Sequence, residues 1–196
     1  MVEEKFTVKP RLIGDSVYAN SSISGDPIIG EIFGKYFPDD NPYTTVLGKN
    51  ASRRNGDTIC ETLAKLYYNK GVKEFKDYKI VLGGGYLKTR NPYYVYAGNV
   101  TYADLFSVLP FDNDIVLGRI QGRYLKSRFL QADNSNYHYY STVGVNEVSD
   151  SEYYYIITDS YTSTYRYNNI TEVTRLKGTY ARDLLAEFVS EGGWER

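Results

Sequence analysis

The sequence predicts an α+β domain in which a mixed sheet carries packed helices. Three observations lead there. Helical and strand periodicities follow one another without the regular alternation that builds a parallel sheet. The chain has 196 residues, 42% of them hydrophobic and 24% charged, enough for one domain of ordinary size with a real core. Capping and breaking signals bracket several of the periodic segments.

Taken in order, residues 1–51 read as an N-terminal arm with leading strands, part of the same domain as residues 52–196. The arm holds a strand candidate at 12–18 and a Gly-punctuated apolar stretch at 27–37, closed by the turn-rich Pro38, Asp39, Asp40, Asn41 and Pro42. A helix follows Gly56, with Asp57 as N-cap, Ile59, Leu63, Leu66 and Tyr67 at helical spacing, and Lys70-Gly71 as its end. Residues 78–82 form a buried strand running into Gly83-Gly84-Gly85. A second helix opens at Thr101, where Asp104 makes a near capping box, and Pro110 stops it. Residues 114–120 are a strand and 122–130 a helix with Tyr124, Leu125 and Phe129 on one side. Residues 153–158 form another strand, and 180–189 a last helix with Leu184, Leu185 and Phe188 inward, capped by Gly192-Gly193.

Composition excludes several classes of function. Lys plus Arg is 23 against 24 Asp plus Glu, so the net charge of −1 offers no broad basic surface for a nucleic acid polymer. No apolar stretch approaches the roughly 20 residues of a membrane span, and the charged first residues do not read as a signal peptide. A single cysteine, Cys60, allows no internal disulfide and reads as a small buried residue. The single histidine, His138, lies in a Tyr- and Asn-rich stretch read as a surface or hairpin segment, and the carboxylates show no metal-binding cluster, so no cofactor is expected in this chain. Tyrosine is abundant, 22 residues against 8 Phe and 1 Trp. Most of these suit exposed strands, while some suit ring stacking.

Two segments point to binding. Glycines at 83–85 let a ligand or another backbone approach a strand closely, without the spacing of a phosphate-cradling loop. Pro110 breaks a helix and puts Phe111 on the following loop, where its ring either fills the core or presents its face to another ring.

These segments carry a resemblance. Leu82-Gly83-Gly84-Gly85, Val100-Thr101-Tyr102, the run from Leu105 through Leu109-Pro110-Phe111-Asp112-Asn113, the segment Tyr155-Ile156-Ile157-Thr158-Asp159-Ser160-Tyr161 and the closing Tyr180-Ala181-Arg182-Asp183-Leu184-Leu185 resemble the C-terminal domain of the 5'-nucleotidases, a family that includes UDP-sugar hydrolases and 2',3'-cyclic phosphodiesterases. The resemblance spans roughly residues 52–193.

It implies a substrate-specificity domain that clamps a nucleotide or nucleoside base between two rings. An N-terminal metallophosphoesterase domain of the same parent chain would carry the divalent metal pair and the catalytic histidine. It also implies an extracellular, cell-surface or periplasmic setting. Phe111 matches the first ring and Tyr161 the second, and Gly83, Gly84 and Gly85 match the family's glycine run. Four departures follow. Leu82 stands where the family reads the base with Asn, and Tyr86-Leu87 where it has Ile-Arg. Arg53 and Arg54 lie near its Arg before the first helix. Residues 163–168 replace its Gly-Gly-Asp-Gly, with Tyr167 near the ribose-binding Asp. Asn113 and Arg90 are the polar side chains nearest the expected clamp. The chain alone is expected to be inactive in hydrolysis. The alternative is a non-catalytic interaction module that keeps the fold and has lost nucleotide recognition.

Overall fold

Nine strands and four α-helices emerge among residues 43–87, 94–131, 137–166 and 169–195, which the computed structural model describes. In chain order they are β1 (Val46–Asn50), β2 (Arg54–Asn55), α1 (Gly56–Glu74), β3 (Ile80–Tyr86), β4 (Tyr94–Val95), β5 (Gly98–Thr101), α2 (Tyr102–Val108), β6 (Asp114–Gln121), α3 (Gly122–Leu125), β7 (Tyr137–Ser141), β8 (Tyr153–Asp159), β9 (Ile170–Tyr180) and α4 (Ala181–Ser190). The expected segments at 12–18 and 27–37, together with Arg90 and Tyr167, lie outside the described residues.

Five strands form the central sheet in the order β7-β3-β8-β6-β9. Only β3 and β8 run parallel, and the other three pairs are antiparallel. The fold is therefore α+β with a mixed sheet. Pleat alternation sends Ile115, Leu117 and Ile157 to one face, where α1, α2 and α4 cover them, and Ile120 and Ile156 to the other, where Leu125 and Phe129 cover them. A register irregularity between Ile80 and Leu82 of β3 puts Ile80 on the first face and Leu82 on the second.

Helix α1 is capped earlier than expected. Asn55, not Asp57, is the N-cap: its side chain accepts from the Thr58 N–H at 3.0 Å, and Thr58 Oγ1 accepts from the Asn55 N–H at 3.0 Å. Asp57 sits in the first turn, where its charge meets the positive helix end. The helix runs on past Gly71 to Glu74, because Gly71 is buried against Ile157 and Ile80, where a side chain would not fit. Strand β3 likewise extends beyond its expected end. The glycines lie inside it, each paired with β7. For α2 the box predicted at Thr101 and Asp104 is present in both directions, and Leu109 N–H makes the last helical bond before Pro110. The predicted helix at 122–130 is split into α3 and a π-helical turn, Lys126–Leu130. At the end of α4, Gly192 takes φ +77° and the Gly193 N–H donates back to the Phe188 carbonyl, closing the helix as predicted.

Candidate functional site

Two loops, one leading into β6 and one following β8, bring exposed rings to one cleft. The first follows α2. Pro110 cannot continue the helix, so residues 109–113 turn away, and Phe111 stands 65% exposed. The second follows β8. Asp159, the last residue of that strand, accepts from the Thr162 N–H and from Thr162 Oγ1, both at 2.9 Å. That cap sets the start of a π-helical turn, Thr162–Arg166, and leaves Tyr161 on its outer side, 37% exposed.

The cleft between them has a volume of about 190 Å³. Phe111 and Tyr161 line it together with Tyr86, Leu87, Pro110 and Asn113. Pockets for whole drug-sized ligands run to about 300–1,000 Å³, so this space suits one planar ring system with its substituents outside. Tyr86 stacks near Tyr161 with centroids 6.2 Å apart and planes 22° from parallel, and Tyr165 leans on Tyr161 from 5.7 Å. Asn113 is half-buried. Its backbone carbonyl accepts from the Ala181 N–H at 3.2 Å, while its carboxamide makes no hydrogen bond to a described residue.

The floor is ionisable but closed. Asp159 and Tyr67 both reach the cleft, at 3% and 2% exposure. Burial pushes the Asp159 carboxyl above its ordinary range, against the lowering effect of its bonds from Thr162 and the Tyr161 backbone. Burial first, and then the Asp159 charge, push the Tyr67 phenol up as well.

The glycine run does not line this cleft. A Cβ on Gly83 would overlap the Ala64 carbonyl and come within 2.7 Å of the Tyr68 nitrogen, and one on Gly85 would lie 2.9 Å from the Cys60 carbonyl. The backbone that Gly83 and Gly85 admit is that of α1. Leu82 is fully buried in the second core cluster and does not line the cleft. His138 sits in β7, with Nε2 3.5 Å from Asp57 Oδ1, too far for a hydrogen bond. No group of three or more His, Cys, Asp or Glu able to hold a metal exists among the described residues. A larger, open groove of about 640 Å³ runs between α1 and α4. Its Lys and Glu side chains are those of two solvated helix faces, such as the Lys65–Glu61 pair at 3.0 Å, and it holds none of the exposed rings.

The profile of the family described as 5'-nucleotidase, C-terminal domain, matches residues 49–180, most of the chain. The protein belongs to this family. Solved structures of 5'-nucleotidase family enzymes share its fold. The 5'-nucleotidase precursor of Thermus thermophilus superposes with a TM-score of 0.58 at 12% identity, over 84% of this chain and 40% of that one. The NAD nucleotidase of Haemophilus influenzae superposes at 0.50 with 13% identity, over 85% of this chain and 39% of that one. No curated protein sequence matches. The chain thus spans about two-fifths of the length of these nucleotidases, as a C-terminal part of a two-domain family. No described helix of this 5'-nucleotidase C-terminal domain is long and apolar enough to cross a membrane.

Sequence reasoning singled out Phe111, Tyr161 and Asn113, which the structure places around one cleft. It named Tyr86 and Leu87 only as departures from the family pattern and gave Tyr67 and Asp159 no part in the site. One signal was available for Asp159, a carboxylate closing an apolar strand with Thr162 three residues on, which is a capping pattern. Tyr86 stood out only by its place after the glycine run, and its ring reaches the cleft because β3 continues through those glycines.

Proposed function

We propose that this domain binds the base of a nucleoside or nucleotide between Phe111 and Tyr161, as the specificity part of a longer phosphate-ester hydrolase. The observation that carries the reading is that two exposed rings on separate loops line one cleft of single-ring size. Stacking contributes about 1–3 kcal/mol per base face. Two faces then give affinities from millimolar to high micromolar once the cost of association is subtracted. Recognition of the base edge falls to Asn113, whose carboxamide has both a donor and an acceptor free among the described residues. In this reading a metallophosphoesterase domain of the parent chain holds the divalent metal pair and performs the hydrolysis, in an extracellular, cell-surface or periplasmic setting. No hydrolytic step is assigned to the residues of the domain itself.

A second reading draws on Leu82. With that side chain in the core and the Gly83 and Gly85 gaps filled by α1, positions 82–85 offer no side chain to the cleft. A module kept only for protein contacts fits this equally.

Titration of isotope-labelled protein with adenosine, uridine and AMP separates the two. Base binding gives amide shifts confined to residues 109–113 and 159–165, with affinity weakened in Phe111→Ala by about 1–3 kcal/mol, the contribution of one stacking face. Silence at millimolar ligand leaves the contact module.

A further inference from the structure

We propose that Arg182 is the positioning residue that holds the Phe111 ring in place for the cleft, a role that rests on the base-binding reading above. Arg182 is the second residue of α4 and is 6% exposed. A guanidinium that deep is costly unless every donor direction is used. Here Nη1 donates to the Leu109 carbonyl at 3.0 Å and Nη2 to Asp112 Oδ1 at 2.5 Å. These two acceptors stand on either side of Pro110 and Phe111. One planar cation therefore clips both feet of the short arch that carries the ring.

The guanidinium is itself fixed. Nε donates to the Tyr102 hydroxyl at 2.8 Å, and that hydroxyl donates on to Asp183 Oδ1 at 2.7 Å. Its central carbon lies 4.8 Å from the Phe106 ring centroid and 5.3 Å from that of Tyr102, so α2 supplies aromatic faces for the charge. Between buried Leu109 and Asn113, whose carbonyl accepts from the Ala181 N–H, the residues of the arch are exposed. Phe111 is 65% exposed, and the Asp112 side chain is 60% exposed on all but its contact with Arg182. Without the clip the ring would have to be ordered at the moment of binding.

Asp112→Asn removes the charge from one leg at an exposed side chain, leaving only a neutral acceptor, and leaves the fold's core untouched, whereas Arg182→Lys keeps the charge but has no second arm to bridge both feet. Affinity for adenosine is measured by titration in the full chain, alone and in the Phe111→Ala background, alongside the ¹⁹F resonance of 4-fluorophenylalanine placed at position 111. The expected result is a roughly two- to tenfold weaker affinity in Asp112→Asn, no further weakening when Phe111 is already alanine, and a ¹⁹F shift moving toward that of the free amino acid in both single variants. Equal weakening in the Phe111→Ala background, or an unchanged ¹⁹F resonance in both variants, overturns the role. If Phe111→Ala leaves adenosine binding intact while the ¹⁹F resonance still moves, the clip stands and the base-binding reading falls.

Discussion

Replacing Gly83 by alanine tests whether the glycine strand serves packing or ligand. The new Cβ lands against the backbone of α1, overlapping the Ala64 carbonyl and 2.7 Å from the Tyr68 nitrogen. An ordinary contact there begins near 3.4 Å, so the helix must retreat locally by about 0.7 Å or more. Backbone atoms of a buried helix cannot rotate aside as a side chain would. Overpacking of this kind costs about 1–3 kcal/mol, and alanine's stiffer unfolded chain returns about 0.4–1 kcal/mol. The net loss of about 1–2 kcal/mol lowers Tm by roughly 2–8 °C for a domain of this size. Thermal unfolding by circular dichroism measures it. Gly144→Ala is the control, because a Cβ there meets only the flexible Glu147 carboxylate end and the backbone is at an ordinary φ of −79°. Adenosine titration of the folded Gly83→Ala protein should give the wild-type affinity. An unchanged Tm combined with lost binding would refute the packing argument and return the glycines to the ligand.

Three further outcomes follow from the same structure. Burial pushes the Cys60 thiol up to about 12, so it should resist a thiol-reactive reagent at pH 8 in the native protein and react fully in denaturant; rapid stoichiometric native labelling would contradict its burial. The folded pKa of Asp159 is raised above its ordinary value of 3.8, so its contribution to stability is full below that value and is lost as pH rises through the raised one. The stability of Asp159→Asn relative to wild type, from urea unfolding across a pH series, should therefore climb with pH and then level, and a flat difference would sink the assignment. The isolated chain should not hydrolyse AMP, UDP-glucose or bis-p-nitrophenyl phosphate with added Mn²⁺, Zn²⁺ or Co²⁺, and metal-dependent turnover that co-purifies with it would count against the proposed division of labour.

What could be read from the sequence was local. Thr101, Asp104 and Pro110 fix both ends of α2 through backbone chemistry within a few residues, and the same signals set Phe111 on a loop. Helix α4 announced itself through Leu184, Leu185 and the closing glycines. What escaped was set by distant partners. The glycines have poor strand propensity, yet they lie in β3 because α1 fills the space above Gly83 and Gly85 and β7 pairs beside all three. Strand β9 has hardly any buried face, so its sequence lacks the alternation that marks a half-buried strand. The π-helical turn after α3 has the periodicity of an ordinary helix over too few residues to distinguish. At the cleft, Phe111 and Tyr161 follow from their own loops, whereas Tyr86 enters only because β3 carries on through residue 86.

β9 also bears on how the molecule behaves in crowded solution. It is the outermost strand of the sheet and, at 11 residues, long enough to invite a second copy to pair along it and start an aggregate. Several features oppose that. Register irregularities interrupt its pairing with β6 at two places. Within one of them Gly178 takes φ +75° and donates its N–H to Asp114 Oδ1 at 2.9 Å, bending the end of the strand. Arg175 is held by Glu172 at 2.6 Å and lies 3.5 Å from Asp114, so ionic groups sit where an incoming strand would have to strip water. This edge is thus guarded by a charged, broken border, on a strand that carries none of the rings of the cleft.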